Sequence, residues 1–266
     1  MMKHIVIALI LVAFGVGVFL FLPQDSQKAV EFKDTSSDTM IKKDDIIVTP
    51  ISHASAVLDW GGTIIYSDPV GGAEAFLGQP KPDIVFITHE HADHFDVVTL
   101  NAVLVDSTKL IVPQSVVDKL PEDFSHPVTI LSNGEITTYQ DFTIEAVPAY
   151  NIREEALSNH PGGRDNGYVI EHSGKRVYFS GDSEDTPEMR VLQNIDIAFV
   201  AMNLPYTMSV ESAADAVLAF VPKQVYPYHY RTPGGFSDVA RFKTLVNRGN
   251  PEIAVIQRVW YPDLEM

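Results

Sequence analysis

Four side chains that can bind metal ions fall within six consecutive positions of the sequence, residues 89–94. They are His89, His91, Asp93 and His94. Neutral imidazoles are common ligands of Zn²⁺, and a carboxylate compensates its charge. In an extended or tightly turned loop His89 and His91 can point into one cavity, whereas the adjacent Asp93 and His94 diverge toward a second. The spacing therefore predicts two metal ions that share a water molecule, an arrangement that activates water as a nucleophile.

A buried β-strand is expected to position this motif. Residues 83–88 are an apolar run typical of a strand covered on both faces, so the motif lies on the loop where that strand ends. Helices are predicted over residues 210–220, after a Ser209 cap, and over residues 238–247. Further short β-rich runs lie at residues 46–49, 56–58, 63–67, 109–112, 142–147, 168–171, 176–180, 197–200, 224–228 and 253–256. Two groups of strands with interspersed helices predict stacked sheets with helices outside.

The motif resembles the His-x-His-x-Asp-His signature of the metallo-β-lactamase superfamily. The rest of the chain resembles the branch that includes the ascorbate-6-phosphate lactonase and the N-acyl-phosphatidylethanolamine phospholipase D. Supporting motifs follow in the family's order at residues 53–55, 68–69, 147–151, 160–168, 180–182, 202–206 and 226–230. The resemblance implies an α/β fold, a four-layer αββα sandwich over residues 46–266, with a metal site along one edge.

The resemblance also implies a set of metal ligands. The residues expected to bind the first ion are His89, His91 and His160. The residues expected to bind the second ion are Asp93, His94 and His229, and Asp182 is expected to bridge the two. His53 and Asp68 are expected behind the ligands, where they orient the site.

Several of these residues have a purely structural alternative. Asp182 lies in a Ser-Gly-Asp-Ser stretch, where an aspartate can simply form a turn. His229 lies among aromatic residues and can be a core histidine with a hydrogen-bonded ring. His160 lies in a loop, and His172 and His126 are its rivals as the third ligand of the first ion.

The mechanism implied is hydrolysis by a dinuclear centre of two Zn²⁺ ions per chain, with Mn or Fe as alternatives. A hydroxide bridging the metals attacks an ester, lactone, phosphodiester or amide bond of a small molecule, and Asp93 is the catalytic residue that steers it. Four residues are candidates for substrate contact: Tyr206, Asn203, Tyr150 and Tyr228. The competing hypothesis is a membrane-tethered metal-binding protein that has the fold but no hydrolytic turnover.

Composition excludes several other kinds of site. The 266 residues contain 19 basic and 35 acidic side chains, a formal net charge of −16. Such a chain is a poor partner for nucleic acid, because no local basic patch offsets the charge. The sequence has no cysteine, which excludes disulfides, cysteine nucleophiles and thiolate metal ligands, including the cysteine of the familiar class B β-lactamases.

The N-terminal region predicts membrane attachment. Residues 5–22 are an uncharged apolar run of 18 residues preceded by Lys3, just long enough to span a bilayer. Residues 1–23 are therefore expected to anchor the chain, with residues 24–45 as a polar linker and the catalytic domain exported to the periplasmic or extracellular side. The alternative is a cleaved signal peptide and a secreted enzyme, although the usual small-x-small cleavage site is missing.

Overall fold

The first sheet carries the start of the domain. The computed structural model describes residues 45–262, and the predicted anchor and most of the predicted linker lie outside that range. The six strands, in their order across the sheet, are β1 (Ile46–Ser52), β2 (Ser55–Trp60), β3 (Thr63–Ser67), β4 (Ile84–Phe86), β5 (Lys109–Val112) and β6 (Val128–Ile130). The first three are antiparallel, and β3 to β6 run parallel.

The second sheet has seven strands. In chain order they are β7 (Ile136–Tyr139), β8 (Phe142–Ala149), β9 (Asp165–His172), β10 (Lys175–Phe179), β11 (Ile197–Ala201), β12 (Gln224–Tyr228) and β15 (Ala254–Val255). The order across the sheet is β15-β12-β11-β10-β9-β8-β7. A separate hairpin pairs β13 (Arg231–Thr232) with β14 (Gly235–Phe236). Because β10, β11 and β12 are parallel, the loops that follow them meet at one edge of the sheet.

Within residues 45–262, five α-helices accompany the sheets: α1 (Val97–Val103), α2 (Gln114–Val117), α3 (Pro187–Arg190), α4 (Val210–Phe220) and α5 (Val239–Gly249). The predicted helix over 210–220 is α4, and the Ser209 side chain caps it by accepting from the backbone N–H of Ser212. The second predicted helix is α5, which begins after Asp238 and ends two residues later than predicted. None of the helices within residues 45–262 is long and apolar enough to cross a membrane.

The side chains of β4 explain why its sequence is continuously apolar. Ile84 and Phe86 point into a core shared by both sheets, where the Phe86 ring lies 4.9 Å from Tyr168 of the second sheet. Val85 points the other way, into a second core that contains Leu100 of α1. The strand is thus covered by the opposite sheet on one face and by helices on the other. The predicted sandwich of two sheets with helices outside is confirmed.

The predicted strand over residues 83–88 is shorter than expected. Regular pairing covers only Ile84–Phe86, because the chain turns toward the edge of the sandwich after Ile87. The backbone oxygen of Ile87 accepts from the hydroxyl of Tyr168, and that of Thr88 accepts from the backbone N–H of Asn166. These bonds join the two sheets where the histidine motif begins.

Candidate metal centre

The histidine motif forms a compact turn between β4 and α1. The backbone N–H groups of His94 and Phe95 both donate to the carbonyl of His91, which folds the loop back on itself. Asp96 then begins α1 by accepting from the N–H groups of Val98 and Thr99. The motif is therefore held between a buried strand and a capped helix, and its donors face one side.

The three residues expected at the first ion lie together. His89, His91 and His160 each offer a nitrogen within 4.8 Å of the others. Nε2 of His89 and Nδ1 of His91 are 3.1 Å apart, and the ring of His160 is centred 4.9 Å from both rings. His160 comes from the loop between β8 and β9, so this first group takes ligands from both sheets.

The second group contains His94, Asp182 and His229, whose ligand atoms also lie within 4.8 Å of one another. Oδ1 of Asp182 is 3.3 Å from Nε2 of both His94 and His229. The other oxygen of Asp182, Oδ2, is 3.4 Å from Nε2 of His160 in the first group. One carboxylate thus presents one oxygen to each group, which is the geometry that a bridging ligand requires.

Asp93 lies between the second group and the surrounding cavity. Its Oδ2 is 3.4 Å from Nε2 of His229 and 3.0 Å from Nε2 of His53, and 48% of its side chain is exposed. Asp93 also forms a possible ligand set with His89 and His94. A carboxylate in this position can serve as a ligand and still reach a molecule in the cavity.

Carboxylates hold the outer nitrogens of two histidines. Nδ1 of His94 is 2.8 Å from Oδ2 of Asp68, and Nδ1 of His160 is 3.1 Å from Oδ2 of Asp165. Such a carboxylate keeps one ring proton on Nδ1, so Nε2 is the atom that each ring offers to a metal ion. Nδ1 of His229 has no such carboxylate and instead lies 2.9 Å from the amide nitrogen of Asn203, which fixes the position of the ring.

Three buried atoms show that this arrangement suits metal ions. Within residues 45–262, Nε2 of His94, Nε2 of His229 and Oδ1 of Asp182 are buried and have no hydrogen-bond partner. Such unpaired atoms are rare in folded proteins because they lose their water without replacement. All three belong to the second group and point at the same space, so a divalent cation satisfies them together.

The charges of the ligands reinforce one another. Burial alone raises the pKa of Asp182, but the nearby His229 and His94 hold that pKa well below its ordinary value. Burial lowers the pKa of His94, yet the carboxylates of Asp182 and Asp68 raise it well above the ordinary imidazole value. Burial lowers the pKa of His89 well below that value, so this ring is neutral and ready to bind a metal. A metal ion that binds to the second group therefore displaces a proton from His94.

The structure separates the other sequence candidates. Tyr206 is exposed and lines two cavities, of about 310 and 300 Å³, that border the ligand groups. Asn203 lines the same cavities. Tyr228 is buried and packs against Trp260 in the core, and the hydroxyl of Tyr150 donates to Glu188 at 3.0 Å. Tyr228 and Tyr150 are thus engaged with other protein side chains.

Both rival histidines are engaged away from the two ligand groups. His172 stacks on Phe142 with ring centres 4.1 Å apart, and Nε2 of His126 contacts the backbone oxygen of Thr108 at 2.8 Å. Asp68 contacts the outer nitrogen of His94, whereas His53 lines the cavity and offers a nitrogen within 4.8 Å of Asp93 and His229. Nδ1 of His53 contacts the hydroxyl of Tyr261 at 2.7 Å, a partner that the sequence reasoning missed.

Known proteins resemble this chain over most of the described domain. The family model described as the beta-lactamase superfamily domain matches residues 48–229. A UPF0173 metal-dependent hydrolase from Thermus thermophilus is 29% identical over 189 residues, which cover 68% of this chain and 82% of the relative. A second such hydrolase, from Thermococcus kodakarensis, is 26% identical over 215 residues, covering 78% of this chain and 94% of the relative.

Solved structures give the same result. A Parabacteroides distasonis protein assigned to the metal-dependent hydrolases superposes with a TM-score of 0.72 at 39% identity, over 80% of this chain and 92% of its own. A metallo hydrolase from Ignicoccus hospitalis superposes with a TM-score of 0.68 at 22% identity, over 80% of this chain and 94% of its own. The second likeness concerns the fold alone.

Proposed function

This chain belongs to the beta-lactamase superfamily domain family and is a metal-dependent hydrolase, and we propose that it works with two metal ions, Zn²⁺ foremost, acting on one scissile bond. The observation that carries the proposal is the position of Asp182. Its two oxygens face different histidine groups, at 3.3 Å and 3.4 Å. In a site with a single metal ion, only one of these two oxygens would face the ion.

The protein side chains have distinct roles in this chemistry. When bound, the metal ions lower the pKa of a coordinated water and polarise the oxygen of the scissile bond. Burial raises the pKa of Asp93, but the neighbouring imidazoles of His229 and His53 hold that pKa below its ordinary range. Asp93 therefore stays ionised and orients the attacking water as a hydrogen-bond acceptor.

Contacts around His53 fix the orientation of Asp93. Burial lowers the pKa of His53, so its ring is neutral and carries one proton. The backbone N–H of Arg231 donates to the hydroxyl oxygen of Tyr261, leaving that hydroxyl to donate to Nδ1 of His53. Nε2 of His53 then donates to Asp93. This chain of bonds keeps the carboxylate turned toward the cavity.

The rim of the cavity supplies a donor for the substrate. Tyr206 is 44% exposed, and its backbone oxygen accepts from the amide of Asn151, which fixes the loop that carries it. Because Tyr206 lines the cavities, we propose that its hydroxyl donates to the negative charge that develops on an ester, lactone, phosphodiester or amide during hydrolysis. The two cavities that Tyr206 lines have volumes of about 310 and 300 Å³, and we propose that the substrate is a small molecule that fits them.

The test is a comparison of Asp182→Asn with the native chain. Elemental analysis of native protein purified without chelator should give two transition-metal ions per chain. Asp182→Asn keeps the shape of the side chain but removes its charge, so metal content should fall to one ion or fewer. Hydrolysis of a panel of lactones, phosphodiesters, esters and amides should fall steeply with it.

The matched control is Asp106→Asn, which removes the same charge at an exposed position outside the ligand groups. This variant should keep both the metal content and the activity of the native chain. A native stoichiometry below one after reconstitution with zinc would contradict the dinuclear proposal. Full metal content in Asp182→Asn would contradict the bridging role.

The proposed location is outside the cytoplasmic membrane, with the enzyme tethered by residues 5–22. Support for this comes from the sequence: a basic residue, Lys3, precedes the apolar run and an acidic residue, Asp25, follows it. The formal net charge of −16 argues against nucleic acid as a partner.

A further inference from the structure

Arg231 lies beside the metal centre on a hairpin of its own. It is the first residue of β13 and follows the ligand His229 by two positions. Two cavities, of about 360 and 310 Å³, are both lined by Arg231 together with His53 and Asp93. A guanidinium here is within the space that a substrate of the proposed centre occupies.

The side chain of Arg231 is available for binding. It is exposed, and among residues 45–262 it takes part in no ion pair with a carboxylate. The other two arginines of the site loops are already engaged. Arg153 pairs with Glu155 at 2.9 Å, and Arg164 pairs with Asp165 at 2.7 Å. Only Arg231 among these three can accept an incoming anion without giving up a protein partner.

Aromatic packing fixes the hairpin that carries this arginine. The ring of Tyr261 is centred 5.0 Å from both Tyr230 and Phe236, which flank Arg231 in sequence and across the hairpin. The backbone N–H of Arg231 also donates to the hydroxyl of Tyr261 at 3.2 Å. The base of the side chain is therefore positioned before a ligand arrives, which reduces the entropy lost on binding.

The charge of the site with two metal ions bound favours an anionic ligand next to Arg231. Two divalent ions would bring four positive charges. The carboxylates of Asp93 and Asp182 offset two of these charges directly, and those of Asp68 and Asp165 act from behind the histidines. A further cation on the same cavity raises the positive potential, which disfavours the empty state and attracts anions. The guanidinium fork matches the geometry of a carboxylate or a phosphate.

We propose that Arg231 binds an anionic group of the substrate, so that the substrates of this enzyme are small molecules carrying a carboxylate or phosphate near the hydrolysed bond. This inference rests on the proposed dinuclear hydrolase and adds its substrate class. The inference assigns Arg231, two residues after His229, a role in substrate recognition.

Calorimetric titration of the metal-loaded full chain in detergent tests the proposal without relying on turnover. The three probes are acetate, succinate and 3-phosphonopropionate. Acetate has a single carboxylate, which the metal ions can take. The other two carry a second anionic group for Arg231. Arg231→Gln should weaken the binding of succinate or 3-phosphonopropionate by about tenfold or more, because a charged hydrogen bond to the second anionic group is lost.

Two further variants sharpen the comparison. Lys243→Gln removes the same charge from an exposed position on α5 and should bind all three probes as the native chain does. Arg231→Lys retains the charge but not the fork, so its affinity should lie between those of the native chain and Arg231→Gln. The probe that loses more affinity identifies the preferred anion, and loss for either one supports the proposal.

Two results would overturn the inference while leaving the proposed function intact. In the first, Arg231→Gln retains two metal ions and binds succinate and 3-phosphonopropionate like the native chain. In the second, acetate loses as much affinity as the longer probes, which would mean that Arg231 acts only through the general field. A native chain that fails to bind two metal ions contradicts the proposed function itself, and the inference then fails with it.

Discussion

Replacing Asp68 by Asn should separate the two metal positions. Asp68 accepts from the backbone N–H of Thr88 at 2.7 Å, from its hydroxyl at 2.8 Å and from Nδ1 of His94 at 2.8 Å. Its backbone is left-handed, with φ of 41°, a conformation that Asn tolerates well. The substitution therefore preserves the fold of the loop and changes mainly the proton on His94.

The expected effect follows from the tautomer of His94. An amide nitrogen facing Nδ1 donates to it, which moves the ring proton to Nε2 and occupies the lone pair that the second group needs. Loss of such a supporting contact typically weakens metal binding by about 10 to 100-fold. That range corresponds to about 1.4 to 2.8 kcal/mol of binding free energy.

The assay is a zinc titration against a competing chelator, fitted to two sites. Asp68→Asn should weaken one site and leave the other within about twofold. Asp165→Asn provides the mirror experiment, because Asp165 contacts His160 of the first group at 3.1 Å. Equal weakening of both sites by Asp68→Asn, or no weakening, would refute the assignment of separate groups.

Three other outcomes are expected. Gly167→Ala should destabilise the fold by about 1–3 kcal/mol and lower Tm, because a Cβ at this position lies 2.7 Å from a carbonyl oxygen of β10. The control is Gly234→Ala, which should leave Tm unchanged because no atom lies within 4 Å of the added Cβ. Zinc affinity should rise with pH through and above the ordinary imidazole pKa. The reason is that Asp182 raises the pKa of His94 despite burial, so that zinc must displace the proton of His94. Zinc titrations at several pH values that all give the same affinity would contradict this. The full chain should remain in membranes after a high-salt wash if residues 5–22 anchor it, whereas a soluble mature chain lacking that segment would show signal cleavage.

The sequence is most informative where the chemistry is local. The 89–94 motif and the apolar strand before it are adjacent, so their spacing alone predicts a metal site at a strand end. His160, Asp182 and His229 are separated from the motif by up to 140 positions, and only the family resemblance places them with it. Their meeting depends on strand order, which no local pattern encodes.

Other features of the structure give weak signals in the sequence. Helix α1 begins Val97-Val98-Thr99, a β-branched run with low helix propensity, and only the Asp96 cap marks its start. Asp165 and Tyr261 have unremarkable sequence surroundings, although they support His160 and His53. A single carboxylate or tyrosine acquires such a role only through the tertiary contact, so sequence reasoning could not assign it.

Both candidate ligand groups take residues from both sheets of the sandwich, which would make the proposed metal ions part of the folding equilibrium. His89, His91 and His94 follow a strand of the first sheet. The other ligand candidates, His160, Asp182 and His229, follow strands of the second sheet. In the proposed dinuclear centre each ion would therefore cross-link the two sheets, and only the folded chain would bind it. An ion at a thousand times its Kd stabilises such a state by about 4 kcal/mol. With such a centre, the lifetime of the protein would depend on the metal supply of its surroundings, and scarcity of the ion would expose the chain to unfolding and proteolysis as well as to loss of catalysis.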